Sequence, residues 1–344
     1  MRWLVVGVLG TLLACGGAGS GTGSGSGTGT GTPPPEIWGP VTAAIQAAQP
    51  QFDAGVAVEV ITPAGVVYSS SSTATGSFDD TANTPIASAS KWVSASVILR
   101  LVDQGILSLD TKTKDLLVDR NGHAWNGNLG EATLRHLLSF TTGISGDDSD
   151  SELASTLTES VYRIYENEGP TAAAPGSFFH YGSTHLRIAA RMAEVAVSQH
   201  AGATKTWSDI FDAQLRIPLG WAATSNYDLG GILKNPNPAG TLRCTGREYL
   251  RYLALQLRGG LDGATRLLPQ SLLTEQRTDQ WTSYNPTDFI HYSPYKATDA
   301  TKLYHYGLGN WLDVSANQVV HPRSGKLKAP TNSFQGASGE PPQS

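Results

Sequence analysis

Strand-like patterning at two widely separated places, with a long helical stretch between them, is the feature that most restricts how this chain can fold. Residues 55–61 alternate apolar with other side chains, Pro63-Ala64-Gly65 supplies a turn, and 66–70 return, which reads as a hairpin. Residues 304–314 read as another strand. Between them, 88–104 reads as a helix with Trp92, Val97, Ile98 and Leu101 on one side, closed by Gly105. Further helices are expected over 134–138, 152–166, 184–197, 207–215, 247–257 and 269–277. One more, over 36–49, carries Ile37, Val41 and Ile45 at four-residue spacing and stops at Pro50. Together these predict an α+β fold, in which one sheet is built from the two chain ends and a helical lobe lies between.

The first residues read as an address rather than as structure. Arg2 precedes an apolar run from Trp3 to Ala14, of signal-peptide length and too short to span a bilayer stably. Its end, Leu12-Leu13-Ala14-Cys15, resembles the bacterial lipoprotein signal, which implies cleavage before Cys15 and acylation of its thiol. Acyl chains contribute about 0.8 kcal/mol per buried methylene, so several would hold the protein on a membrane. Residues 16–32 are almost entirely Gly, Ser and Thr, followed by Pro33, Pro34 and Pro35. Such a tract behaves as a coil with a reach of about 25 Å. The expected organisation is a signal peptide over 1–14, a tether over 15–35 and a folded domain over 36–344. The expected location is the envelope, with the domain anchored to the cell or outer membrane and facing the periplasm or exterior.

Composition narrows the chemistry. The net charge is −5 without a block of Lys or Arg, which gives no footprint for nucleic acid. The two cysteines are Cys15 and Cys244, and processing would leave Cys244 alone, so no disulfide framework is implied. The eight histidines are scattered, with no His-Glu-x-x-His and no paired Cys-x-x-Cys, so neither a metal site nor a cofactor is called for. The acidic stretch Asp147-Asp148-Ser149-Asp150 lacks the ligand spacing and the Gly of a calcium loop and reads as solvated.

The candidate chemistry sits at Ile86-Ala87-Ser88-Ala89-Ser90-Lys91, a Ser-x-x-Lys that opens an amphipathic helix. Residues three apart share a helix face, so the Lys91 amine can reach the Ser88 hydroxyl. Serine needs a base to take its proton, and a lysine can act when burial favours its neutral form. A helix start also aims free N–H groups at developing negative charge. His180 and His185 invite a Ser-His-Asp triad, but nothing places an acid to orient them and no Gly-x-Ser-x-Gly elbow exists, so they are assigned to support or surface.

The chain beyond Ser88 resembles the class C β-lactamase-like branch of the penicillin-recognising serine hydrolases, with its esterases, amidases and D-alanyl peptidases. The resemblance runs from about residue 55 to residue 339. It is carried in order by Gly105-Ile106-Leu107-Ser108-Leu109-Asp110, Thr133-Leu134-Arg135-His136-Leu137-Leu138-Ser139 with Thr142-Gly143-Ile144, Pro175-Gly176-Ser177-Phe178-Phe179-His180-Tyr181-Gly182-Ser183, Ile217-Pro218-Leu219-Gly220-Trp221 and Tyr306-Gly307-Leu308-Gly309. It implies a β-lactamase/DD-peptidase-like fold with an antiparallel sheet. It also implies Tyr181 as a third catalytic group, sharing protons with Lys91 and Ser88, and Ser183 as a substrate contact. Phe140 stands where many relatives have His, which implies a change in packing.

The branch's third motif, Lys-Thr-Gly or His-x-Gly, is matched by Gly336-Ala337-Ser338-Gly339 without its cation, or by Arg323-Ser324-Gly325 with it. The later one is preferred, because 321–328 reads as a polar loop; Ser338 and Gly339 are then expected to line the cleft. Relatives continue past this motif with a strand and a helix, whereas here Glu340-Pro341-Pro342-Gln343-Ser344 comes next, so those elements are expected to be missing. The function implied is hydrolysis of an ester or amide through an acyl-enzyme. The substrate would be a small molecule or part of the cell envelope, with an esterase or amidase favoured over a true β-lactamase. The alternative from another class is a catalytically weak envelope-binding lipoprotein.

Overall fold

The computed structural model describes residues 35–51, 55–72, 79–144, 153–228, 235–280, 305–314, 320–323, 325–328 and 333–336, grouped in two compact units that divide after Thr81. The smaller unit has a helix, α1 (Pro35–Ala48), and an antiparallel hairpin of β1 (Val56–Thr62) and β2 (Gly65–Ser72). A register shift between Val60 and Ile61 bends the hairpin. Its core joins Ile45, Val56, Val58 and Tyr68, with Trp38 stacked on Tyr68 at 4.6 Å.

The larger unit is built around one helix. After the two-residue strand β3 (Thr84–Pro85) and a 3₁₀ turn over Ala87–Ala89, α2 runs from Ser90 to Asp103. The apolar stripe predicts an amphipathic helix, but α2 is buried on nearly every face: Ser90 to Leu99 and Leu101 are all buried. Its serines are the reason. Ser94 bonds the Tyr227 hydroxyl and the Pro238 carbonyl, each at 2.6 Å, and Ser96 bonds the Tyr252 hydroxyl at 2.9 Å. A hydroxyl whose partner is also buried can occupy a core position.

Around α2 come α3 (Gly127–Glu131), α4 (Leu134–Leu138), α5 (Leu157–Glu168), α6 (Thr184–Ala201) and α7 (Trp207–Phe211). The strand β4 (Arg243–Cys244) pairs with β3, then α8 (Gly246–Leu257), a small hairpin of β5 (Leu261–Asp262) and β6 (Thr265–Arg266), and α9 (Gln270–Gln276) come in turn. Helices α6 and α7 pack on α2, and α4 and α5 pack on α6. Helix α5 starts at Leu157, capped by Thr156, so the helix expected from residue 152 begins later.

The strand expected over 304–314 is instead a hairpin. Strand β7 (His305–Tyr306) folds back on β8 (Trp311–Val314) through a turn at 307–310, with Tyr306 opposite Trp311. Gly309 has φ +78°, a left-handed conformation that glycine adopts without strain, and it reverses the chain. The stretch 321–328, expected as a polar loop, contributes β9 (Val320–Arg323) and β10 (Gly325–Lys328). Backbone pairing overrides its polarity: β9 is the edge of the sheet β7-β8-β9, where Pro322 is tolerated, and β10 pairs with β11 (Ser333–Gly336). Among the described residues every strand pairing is antiparallel, and strands precede and follow the helical run, an α+β arrangement.

Candidate active site

A strand, a strained residue and a tight turn deliver Ser88. The Ile86 N–H donates to the Leu242 carbonyl at 2.9 Å, continuing the β3–β4 pairing. Ala87 then takes φ +48°, a left-handed conformation that costs a non-glycine residue about 1–3 kcal/mol and persists only where its surroundings impose it. Ser88 comes next, half-buried, in the 3₁₀ turn, and α2 starts two residues later. The surroundings that impose this shape are the loop 238–242 and the first turn of α2. Ser90 donates to the Ala87 carbonyl at 2.5 Å and accepts from the Leu242 N–H at 3.2 Å. With Lys91 on Ala239 and Ser94 on Pro238, three polar side chains of one helix end fasten this loop.

Lys91 is 5% exposed, and its Nζ donates to the Ser88 hydroxyl and to the Ala239 carbonyl, each at 2.9 Å. Its ammonium also lies 4.7 Å from the centroid of the Tyr181 ring. Tyr181, 7% exposed, belongs to an aromatic cluster: Trp311 is stacked on it at 5.2 Å and Phe140 meets it edge-on at 5.5 Å. The three residues Ser88, Lys91 and Tyr181 are therefore brought together, and Tyr181 is at once a packed core ring and a neighbour of the amine.

Of the other expected site residues, Ser183 is half-buried at the N-cap of α6, two residues beyond Tyr181. Ser338, Gly339 and Cys15 lie outside the described residues, as does the acidic stretch 147–150. Strand β11, which leads toward Ser338, lies beside the Ser88 turn. Gly325 is opposite Gly336 in the β10–β11 register, so one glycine from each candidate for the third motif sits at the same end of one ribbon.

His185 is a supporting residue: fully buried, it bonds the Thr142 hydroxyl and the His180 carbonyl, each at 2.9 Å. Phe140, with φ +60°, stacks on it at 5.1 Å, so the change in packing is an aromatic one. Cys244 is free and buried in β4, where burial pushes its thiol well up and makes it a poor nucleophile. Among the described residues, no group of His, Cys, Asp and Glu could hold a metal ion, and no helix is long and apolar enough to cross a membrane.

Two participants escape a reading of the sequence. Ala239 acts through its carbonyl, and a peptide oxygen leaves no side-chain signature. Trp311 gives one faint signal, its place two residues after Gly309 in the Tyr306-Gly307-Leu308-Gly309 segment.

Comparison with solved structures finds this fold elsewhere. A candidate beta-lactamase from Bacteroides dorei DSM 17855 is 26% identical, with a TM-score of 0.63, over 80% of this chain and 79% of that one. An octameric penicillin-binding protein homologue from Pyrococcus abyssi shares the fold at 17% identity and a TM-score of 0.57, over 81% of this chain and 65% of its own. EstCE1, a hydrolase with promiscuous acyltransferase activity, does so at 15% identity and 0.56, over 82% of this chain and 84% of that one. No curated protein matches. The Beta-lactamase family model matches residues 44–309, a span that holds Ser88, Lys91, Tyr181 and most of the 307–310 turn, and the chain belongs to that family.

Proposed function

We propose that this protein is a serine acyl hydrolase that cleaves an ester or amide through an acyl-enzyme on Ser88. The observation that carries this reading is the 2.9 Å contact between Lys91 Nζ and Ser88 Oγ, with the Tyr181 ring centroid 4.7 Å from the same amine. In the neutral form of the amine, one N–H can keep its bond to the Ala239 carbonyl while the lone pair accepts from the Ser88 hydroxyl, the reverse of the bond that the ammonium makes. Lys91 takes the hydroxyl proton as Oγ bonds to the carbonyl carbon, and the oxyanion collapses with departure of the alcohol or amine. That leaving group receives a proton from the Lys91–Tyr181 pair. Water then attacks the acyl-enzyme and gives a proton to the pair, which passes it to Ser88 Oγ as the acyl–oxygen bond breaks and the acid departs.

A fluorophosphonate probe tests the reading. It labels Ser88 in the folded protein, and Ser88→Ala abolishes labelling; a folded wild type that takes no label sinks it and leaves the envelope-binding reading. An esterase or amidase is the preferred activity if Gly336-Ala337-Ser338-Gly339 serves as the third motif, because it lacks the cation that pairs a β-lactam carboxylate. Arg323-Ser324-Gly325, now that 320–323 and 325–328 form strands, would supply one. The second reading, a β-lactamase, is favoured by the Bacteroides dorei neighbour. Turnover of p-nitrophenyl esters without turnover of nitrocefin decides for the first.

We also propose the lipid anchor at Cys15 and a place in the bacterial envelope, on the strength of Leu12-Leu13-Ala14-Cys15 and the tract after it. Labelled palmitate enters the wild type and not Cys15→Ala if this is correct; equal incorporation refutes it.

A further inference from the structure

The hairpin of β7 and β8 touches both halves of the Lys91–Tyr181 pair. On one side its turn lies against α4 and α2: the Gly309 N–H donates to the Leu138 carbonyl of α4 at 2.8 Å, and a Cβ added at Gly309 would lie 2.8 Å from the Lys91 carbonyl oxygen and 2.5 Å from the Ala95 Cβ of α2. Real Cβ atoms do not come so close, so the turn bears directly on the backbone that carries the amine. On the other side, Trp311 stacks on Tyr181 at 5.2 Å with an interplanar angle of 26°.

Trp311 is itself clamped. Tyr306, its partner across the hairpin, meets it edge-on at 4.9 Å, and Phe179 does so at 5.8 Å. Phe179 and Tyr181 belong to one segment, so Trp311 bridges that segment to the hairpin. The turn is further tied to α9: the Leu308 N–H donates to the Gln276 carbonyl at 2.9 Å, and the buried Gln276 side chain reaches both the Leu308 carbonyl at 3.3 Å and Ser96 of α2 at 3.2 Å.

A lysine has four rotatable bonds, and an aromatic platform restrains its ammonium only if the platform is fixed. We propose that Trp311 is a positioning residue for acylation: it fixes the Tyr181 ring against Lys91, while Gly309 in the same hairpin fixes the Lys91 backbone. The role rests on the acyl hydrolase reading, and it predicts an effect on the chemical step rather than on substrate affinity.

The experiment compares Trp311→Leu with Trp311→Phe in the full chain, by two independent readouts. The first is the rate at which Lys91 is reductively methylated, followed by mass spectrometry, which requires no activity. The leucine variant exposes the amine and raises this rate several-fold; the phenylalanine variant, which keeps a stacking face, stays near wild type. The second is steady-state hydrolysis of a p-nitrophenyl ester, where leucine lowers kcat about tenfold with little change in KM and phenylalanine restores most of it. Unchanged Lys91 methylation in a folded Trp311→Leu protein overturns the proposal, as does a loss confined to KM. If wild type neither hydrolyses esters nor takes a fluorophosphonate, the hydrolase reading fails by itself, and methylation still decides whether Trp311 holds the pair. Should the leucine variant fail to fold, Trp311→His, smaller and flat, replaces it and is judged on the same readouts.

Discussion

Two regions of the larger unit hold a cation in opposite ways. Lys91 is 5% exposed and is held by a hydroxyl, a peptide carbonyl and an aromatic ring. Arg120, 42% exposed, is held by carboxylates: it meets Glu159 at 2.8 Å and Glu166 at 2.6 Å. Arg163 joins Glu159 at 2.9 Å, and the hydrogen bonds from Arg120 and then Arg163 pull the Glu159 carboxyl down to about 2. This second region walls a cleft of about 590 Å³ that also takes in Asn126, Asn128 and Tyr165. Carboxylate partners hold a cation in its charged form, whereas the proposed reaction needs an amine that takes up and releases a proton. The proposed chemistry belongs to the Lys91 site, where the amine and the Ser88 hydroxyl are 2.9 Å apart.

Removing each cation breaks the comparison most sharply. Lys91→Met fills the same space without a base, so ester hydrolysis falls about 10²–10⁴-fold. Thermal stability changes little, because Met takes the place of a charge whose burial is costly. A variant that keeps more than a tenth of wild-type kcat contradicts the role assigned to Lys91.

Gly309→Ala comes next. Alanine must adopt φ +78° and push its Cβ against Ala95 and the Lys91 carbonyl. Strain and overpacking together cost about 2–4 kcal/mol of stability, read from urea unfolding. Ester hydrolysis at a temperature where the variant is folded falls as well, since the displaced backbone is that of Lys91. Full stability would show that the turn can withdraw from α2.

How far these contrasts are legible in the sequence varies with the range of the interaction involved. The Ser88–Lys91 pair is legible because it is local: a three-residue spacing at a helix start sets the distance whatever surrounds it. Tyr181 is legible through the order of motifs, but its contact with Lys91 spans ninety residues of chain and no spacing predicts it. Helix α2 reads as amphipathic because Ser94 and Ser96 count as polar in any pattern, while their partners Tyr227 and Tyr252 are far away in sequence. The 304–314 stretch reads as one strand because its residues favour extended backbone; the reversal at Gly309 is enforced by contact with α2. Likewise 321–328 looks like a loop until β8 and β11 offer it backbone partners.

At the exposed end of the comparison, Arg120→Ala leaves ester hydrolysis at the wild-type rate. Its ion pairs are solvent-facing and lie apart from the Ser88 residues, so the unfolding midpoint shifts slightly, and less at high salt than at low. A marked loss of activity would show that the 590 Å³ cleft and the Ser88 site act together.

His136 stands between the two extremes and gives the smallest effect. It lies in the first turn of α4, where the Thr133 N–H donates to its Nδ1 at 3.1 Å, half of a reciprocal cap. Burial, and then the neighbouring Arg135, lower its pKa from the ordinary 6.5. An imidazolium would also turn a proton toward the N–H that now donates to it. The folded protein therefore binds this proton less readily than the unfolded chain does. The stability His136 contributes is thus complete above about pH 6.5 and is lost as pH falls toward the folded value. In His136→Gln the side-chain oxygen can accept from the Thr133 N–H, but the group does not titrate. Thermal melts between pH 7.5 and pH 5 therefore fall more steeply for wild type than for His136→Gln, by about 1 kcal/mol or less over the range. Parallel slopes would mean that His136 is solvated and that α4, whose Leu138 carbonyl receives the Gly309 N–H, is capped without it.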